Sequence, residues 1–152
     1  WDYMMDLSLK GYFFAAQKVA KEMIKRNTAG SIICISSVHS YRAAKDWTPY
    51  GIAKIGTRRM VKGLATDLAN SGINSNCIAP GAINNTIPQN DQVEPESINM
   101  PWIPSGRQGL PSDIANAVVF LSSKMGEYVN GETLLVDGGM IGTGLGAGRS
   151  DD

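Results

Sequence analysis

Apolar positions change their period several times along the chain, and each change predicts an element. Over residues 1–26, Met4, Leu7, Phe14, Val19 and Met23 recur at helical spacings with Lys and Glu between the later ones, predicting one long amphipathic helix. Residues 27–30 break it. Ser31-Ile32-Ile33-Cys34-Ile35 follows as a short, β-branched, nearly uninterrupted apolar run, the pattern of a strand buried on both faces of a parallel sheet. Ser36 and Ser37 stand at its carboxyl end. A loop through His39, Tyr41 and Trp47 leads to Thr48 and Pro49, a cap and first-turn proline that predict a helix to about Asn70, stopped by Ser71-Gly72. Residues 73–78 read as a second strand, ended by Ala79-Pro80-Gly81. The polar, Pro- and Asn-rich stretch over 82–110 is too long for a simple connection and is expected to act as a substrate lid. Pro111-Ser112-Asp113 restart a helix with an apolar body over 114–121, and Thr133-Leu134-Leu135-Val136 reads as a last strand closed by Asp137-Gly138-Gly139. A flexible glycine-rich tail is expected over 140–152. Helices alternating with strands in this way predict an α/β fold: a parallel sheet of three strands with helices on both faces.

Composition narrows the setting. With 152 residues, 43% apolar and 18% charged, the chain has material for one core. Lys plus Arg and Asp plus Glu number fourteen each, so no net basic field invites nucleic acid or an anionic membrane, and the expected partner is a small molecule. No apolar run approaches the roughly 20 residues of a membrane span, and the first residues carry no signal-peptide pattern, so a cytoplasmic location is expected. Cys34 and Cys77 each sit in a strand-like segment and are expected to be buried thiols; with no zinc spacing, no metal site is expected. Asn84-Asn85-Thr86 spells a glycosylation sequon, read as a chance match in the absence of a secretory signal. Trp1 opens directly into a helical pattern without an initiator methionine, which suggests a fragment or processed product.

In an open parallel sheet, ligands gather outside the carboxyl ends of the strands, where Ser37 and Pro80-Gly81 both fall. Tyr50 and Lys54, four apart, share one helix face at the start of the following helix. A free tyrosine has a pKa of about 10, and an adjacent ammonium favours its phenolate. Reducing a carbonyl requires a hydrogen bond to its oxygen, a proton for the resulting alkoxide, and a hydride. Ser37 can supply the first and Tyr50 the second. Lys54 can support Tyr50 and bind ribose hydroxyls, while no side chain supplies hydride, so a nicotinamide is required. His39 is a loop residue placed to line a substrate. It stands too close to Ser37 to serve as the base of a hydrolase triad, and Ser37 also lacks a Gly-x-Ser-x-Gly setting. Trp47, Met100 and Trp102 are candidates for an apolar pocket wall or for loop anchors.

These residues resemble the carboxyl-terminal half of the short-chain dehydrogenase/reductase family, whose signature is a serine followed by Tyr-x-x-x-Lys. Trp1-Asp2, Leu9-Lys10-Gly11, Gly30-Ser31-Ile32-Ile33, Ser36-Ser37, Tyr50 to Lys54, Asn76, Ala79-Pro80-Gly81, Gly131 and Asp137-Gly138-Gly139 all match its pattern. The resemblance implies a Rossmann-type doubly wound parallel sheet and NAD or NADP as cofactor. It also implies Ser37, Tyr50 and Lys54 as catalytic residues, with Ser8 at the relay position as a fourth, and Ser37, His39 and Tyr50 at the substrate. Cofactor contacts are implied at Tyr50, Lys54, Pro80, Gly81, Ile83 and Thr86, with the Ile83 backbone facing the nicotinamide carboxamide. Two positions depart from the pattern. Ser8 stands where many members have an asparagine of a catalytic proton relay. Asn85 replaces a threonine, with Thr86 one place later. The family's Thr-Gly-x-x-x-Gly-x-Gly turn is not among these residues, and the glycines of 142–148 do not reproduce it, so the amino-terminal dinucleotide-binding half is absent from this sequence.

Ser36-Ser37-Val38-His39, Pro80-Gly81-Ala82-Ile83-Asn84, Asp137-Gly138-Gly139-Met140 and Ala147-Gly148-Arg149 are further similar to the family's bacterial glucose 1-dehydrogenase branch, implying a sugar or polyol such as glucose as substrate. The two long helices resemble the pair that builds the family's dimer interface, which implies a homotetramer. The alternative is a truncated or inactive family member serving as an oligomeric binding or scaffold protein. An unpaired sheet edge, where further strands would add, predicts that these residues alone aggregate or stay partly molten.

Overall fold

The structure is a computed structural model and describes residues 1–85 and 99–142. Its centre is a three-stranded parallel sheet of β1 (Gly30–Ile35), β2 (Ile73–Pro80) and β3 (Thr133–Val136), in that order. Cys34 lies opposite Cys77, and Cys77 opposite Thr133, so one register line crosses the sheet. α3 (Thr48–Asp67) links β1 to β2, and α4 (Pro111–Ser122) lies between β2 and β3.

Strand alternation assigns the two faces. Ile32 and Cys34 join Ala16, Ala20, Val61, Leu64, Leu68, Ile73 and Cys77 in one core, packed under α2 (Gly11–Lys25) and α3. Ser31 points the other way, and its hydroxyl donates to the Leu121 carbonyl of α4 at 3.2 Å. Helices therefore cover both faces, the doubly wound arrangement expected. Asn76, fully buried in β2, donates to the Val129 carbonyl at 2.7 Å and accepts from the Glu132 amide at 3.0 Å, tying the approach to β3 onto the central strand. Among the described residues no helix is long and apolar enough to cross a membrane.

The first helix departs from expectation. Instead of one regular helix, α1 (Asp2–Met5) runs into a π-helical turn over Asp6–Lys10 before α2 begins. Such a turn inserts a residue into the i→i−4 ladder, rotates the next helical segment about the axis and frees a carbonyl. Here the Ser8 carbonyl accepts from the Thr57 hydroxyl of α3 at 3.1 Å, pinning the bulge to the neighbouring helix. β2 runs two residues beyond its expected end, through Pro80, and the helix carrying Tyr50 ends at Asp67 rather than near Asn70. The far end of the expected lid is anchored. Asn99 bridges Arg107, Ile83 bridges Gly109, and Ile103 is buried. The lid's middle, 86–98, and the tail from 143 lie outside the described residues.

Both cysteines are free and buried, as expected. Burial raises the Cys34 thiol and pushes Cys77 up to about 12. Because the thiolate is the nucleophile, Cys77 is expected to stay unmodified by iodoacetamide at about pH 8 in the folded protein and to react fully in guanidinium. Peptide mass mapping checks this; rapid native labelling would mean that the central strand is not packed as described.

Candidate active site

The carboxyl ends of β1 and β2 and the first turns of α3 meet at one edge of the sheet. β1 ends at Ile35, and the chain turns sharply through a 3-10 turn, Val38–Ser40. Ser37 caps that turn: its Oγ accepts from the His39 amide at 3.2 Å, and its carbonyl accepts from the Ser40 hydroxyl at 2.6 Å. Ser36 faces inward and donates to the Lys54 carbonyl at 2.9 Å, so the strand end is bolted to the helix that follows. Ser36 is thereby structural, as a strand-end serine should be.

α3 starts with Pro49 in its first turn, where a missing N–H costs nothing. Thr48 is itself helical; Trp47 holds the cap position, with no side-chain cap bond. Lys54 is buried, 6% exposed, and its ammonium donates to the Ile35 carbonyl at 2.9 Å. Its Nζ lies 5.5 Å from the Tyr50 ring centroid and 4.9 Å from that of Tyr12. Burial pulls the Lys54 pKa below its ordinary range, partly offset by the Cys77 and Cys34 thiols. Tyr50 is half-buried, and its hydroxyl makes no hydrogen bond among the described residues. Its ring packs edge-on against His39 at 5.8 Å and Trp47 at 5.2 Å, while His39 and Trp47 stack face to face at 4.9 Å. Desolvation, then the nearby Arg42 charge, lowers the His39 pKa, favouring the neutral imidazole.

The structure thus gathers Ser37, His39, Tyr50 and Lys54 around one strand end. Ser8 is buried nearby, but its hydroxyl is spent on Met4 Sδ within its own helix, at 3.5 Å, and none of its bonds reaches Tyr50 or Lys54. Pro80 and Gly81 stand at the end of β2. The Gly81 amide donates to the Val136 carbonyl at 2.9 Å, and a Cβ there would lie 2.7 Å from Asp137 Cα. Glycine is therefore required for two strand ends to approach. Ile83 follows in a parallel bridge with Gly109 in which the bonds run from Gly109 N–H to Ala82 and from Asn84 N–H to Gly109. That pattern leaves the Ile83 amide facing away from Gly109, unbonded among the described residues. Thr86 lies outside the described residues.

Sequence reasoning missed two features of this edge. Tyr12 reaches Lys54 from just beyond the π-helical turn, which no apolar period announces. The other is the clamp beneath the loop: the Arg107 guanidinium forks onto Asp113 at 2.8 and 3.2 Å, and Asp113 also accepts from the Leu110 amide at 2.8 Å, capping α4. The Arg107 hydrogen bonds hold the Asp113 carboxyl below its ordinary value of 3.8. A group with a depressed folded pKa contributes stability above its unfolded value and loses it as pH falls through the folded one. The urea midpoint of Asp113→Asn should accordingly lie below wild type at neutral pH, and the two should converge as the pH is taken below about 4. A gap that persists in acid would remove the ion pair from the explanation.

A doubly wound parallel sheet carrying a serine at one strand end and a Tyr-x-x-x-Lys helix beside it defines a Rossmann-type α/β domain. Comparison with known proteins makes this specific. The family model described as enoyl-(acyl carrier protein) reductase matches residues 1–141. The chain belongs to the short-chain dehydrogenase/reductase family. It is 38% identical over 143 residues to the 2-dehydro-3-deoxy-D-gluconate 5-dehydrogenase of Escherichia coli, covering 93% of this chain and 56% of that protein. Identity to the L-rhamnose-1-dehydrogenase of Scheffersomyces stipitis is 40% over 139 residues, covering 90% and 54%. The crystal structure of a gluconate 5-dehydrogenase from Burkholderia cenocepacia, in complex with NADP and tartrate, superposes with a TM-score of 0.78 at 36% identity, over 91% of this chain and 55% of that one. The chain spans little more than half the length of the relatives it matches.

Proposed function

We propose that the protein acts as an NAD(P)-dependent oxidoreductase that interconverts an alcohol of the sugar, polyol or sugar-acid class and its carbonyl, using Ser37, Tyr50 and Lys54. One observation carries the reading: a phenol hydroxyl with no intramolecular partner among the described residues stands beside a buried ammonium at the carboxyl edge of a parallel sheet. In its neutral form that hydroxyl gives a proton to the substrate oxygen, and as phenolate it takes one back. The Lys54 ammonium stands beside the Tyr50 ring, while the Ser37 hydroxyl orients the same substrate oxygen. His39 and Trp47 wall the cleft beside Tyr50.

The donor set fits the nicotinamide end of a dinucleotide. The unbonded Ile83 amide suits its carboxamide, and the Lys54 ammonium, with one protein acceptor, has protons left for ribose hydroxyls. A bound nicotinamide supplies or accepts the hydride. Pro80 and Gly81 set the course of the backbone that presents Ile83. Thr86 belongs to the same proposed cofactor contacts by its place in the sequence. The substrate class rests on the rhamnose and gluconate-type names of the relatives; none of these three is named for glucose, so the glucose 1-dehydrogenase likeness is kept within this broader class.

The test is turnover by the native gene product with NAD and NADP, followed by absorbance of the reduced cofactor, against glucose, L-rhamnose, D-gluconate and simple alcohols. Calorimetry of both cofactors goes alongside. Absence of both binding and turnover would leave the alternative, an oligomeric binding or scaffold protein.

The same reading assigns subunit contact, and with it a homotetramer, to the helices flanking the π-helical turn and to α3. A groove of about 550 Å³ runs between them, lined by Leu9, Phe13, Phe14, Gly56 and Met60, with Phe13 and Phe14 partly exposed. Phe14→Glu is expected to lower the assembly order in analytical ultracentrifugation, since it replaces an apolar contact in the seam with a carboxylate that must lose its hydration there.

A further inference from the structure

The Lys54 ammonium is enclosed but poorly bonded. It has three protons and, among the described residues, one acceptor, the Ile35 carbonyl. Its other close neighbours are the ring faces of Tyr12, at 4.9 Å, and Tyr50, at 5.5 Å. Ring faces carry negative potential, and the attraction strengthens where water is excluded. Tyr12 is the nearer ring. The π-helical turn over Asp6–Lys10 ends just before it, and the Ser8 carbonyl within the turn accepts from Thr57, one helical turn beyond Ala53 and Lys54 on α3. Bulge, ring and lysine are thus fixed to one another. Tyr12 also packs against the core formed by Ile32 and Cys34, so its ring is not free to swing away.

We propose that Tyr12 is a positioning residue of this site: its ring face holds the Lys54 ammonium at the Ile35 carbonyl, within range of Tyr50. The inference rests on the proposed oxidoreductase function. It also answers a question raised by the sequence, since the Ser8 hydroxyl is turned to Met4 and offers Lys54 nothing. Holding by a ring face depends on the electrons of the ring and not on its hydroxyl, which makes the idea separable from packing.

The experiment places phenylalanine and, by codon suppression, 3,4,5-trifluorophenylalanine at position 12 of the native gene product. The two rings are nearly alike in size, and the fluorinated one is stripped of its negative face. Lys54 ionisation is read in the cofactor-free protein by NMR titration of its ¹³Cε signal. Cys34, Cys77 and Tyr50, the titratable groups that also face this cluster, are the same in every variant. Tyr12→Phe should match wild type, while the trifluoro ring should raise the neutral-to-charged ratio of Lys54 by about 2- to 30-fold at a given pH, with an unchanged melting midpoint. Turnover should fall in the same order. Equal Lys54 titration for the two rings overturns the proposal. Tyr50→Phe run in parallel separates the two readings: if it keeps full turnover, the proposed function fails, while the Lys54 titration still judges Tyr12 by itself.

Discussion

Replacing Tyr50 by phenylalanine should lower turnover by about 10²- to 10⁴-fold, the usual contribution of a positioned acid–base group, while leaving the fold intact. The asymmetry comes from the contacts. Everything that Tyr50 gives the fold comes from its ring, which meets His39, Trp47 and the Lys54 ammonium, and phenylalanine keeps all three. The hydroxyl, by contrast, has no intramolecular partner among the described residues, so its removal leaves no buried donor or acceptor stranded. A stability change within about 0.5 kcal/mol is expected, as for a substitution that disturbs neither packing nor bonding. Measured side by side, kcat and the urea midpoint decide the matter. Retained turnover would take the proton transfer away from Tyr50. A collapsed midpoint would show that the hydroxyl has a structural partner.

How much of the fold and site is legible in the sequence depends on what each feature rests on. The strands are readable because burial on both faces demands an apolar, β-branched run, and Ser31–Ile35 and Thr133–Val136 supply it locally. Tyr50 and Lys54 can be placed together because a spacing of four on a helix has one geometric outcome, and α3 is regular there. The π-helical turn is not legible. The hydrogen bond that ties it to α3 comes from Thr57, forty-nine residues away in sequence, and residues 6–10 read on their own as ordinary helix. Tyr12 escapes with it, since its partner Lys54 lies far away in sequence, on α3. The Arg107–Asp113 clamp stays hidden for a different reason. Asp113 reads as part of a helix start, but its partner lies in a stretch whose polar composition suggests an open lid, and only the buried Ile103 and the Gly109 bridge reveal an anchored segment. Ser8 is a different case. Its place in a family pattern suggests a relay role, while its hydroxyl is bonded back into its own helix.

Lys54→Met should separate function from fold at this site more sharply than any other change. Methionine keeps the apolar stem of the lysine and fills the same space, so packing around Ala53 and Thr57 survives. Two larger effects then oppose each other. Losing the ammonium orphans the Ile35 carbonyl, which costs on the order of 1–3 kcal/mol. It also relieves the burial of a charge, a cost of similar or greater size in real proteins, and that burial is what pulls the Lys54 pKa down. The net change in stability at neutral pH should stay within about 2 kcal/mol. Its pH dependence has a definite sign. Because the folded pKa of Lys54 is below its ordinary 10.5, the unfolded chain binds more protons between the two values, and wild-type stability gains there relative to the mutant as pH rises. Any advantage of Lys54→Met is therefore largest near neutrality and shrinks toward pH 10. Turnover has no such compensation. With no cation beside the Tyr50 ring and none to meet ribose hydroxyls, kcat/KM should fall by at least about 10²-fold. A methionine variant that is both well folded and active would show that the buried ammonium serves the fold alone. One that folds, binds no cofactor and does not turn over would tie the burial of this lysine to chemistry.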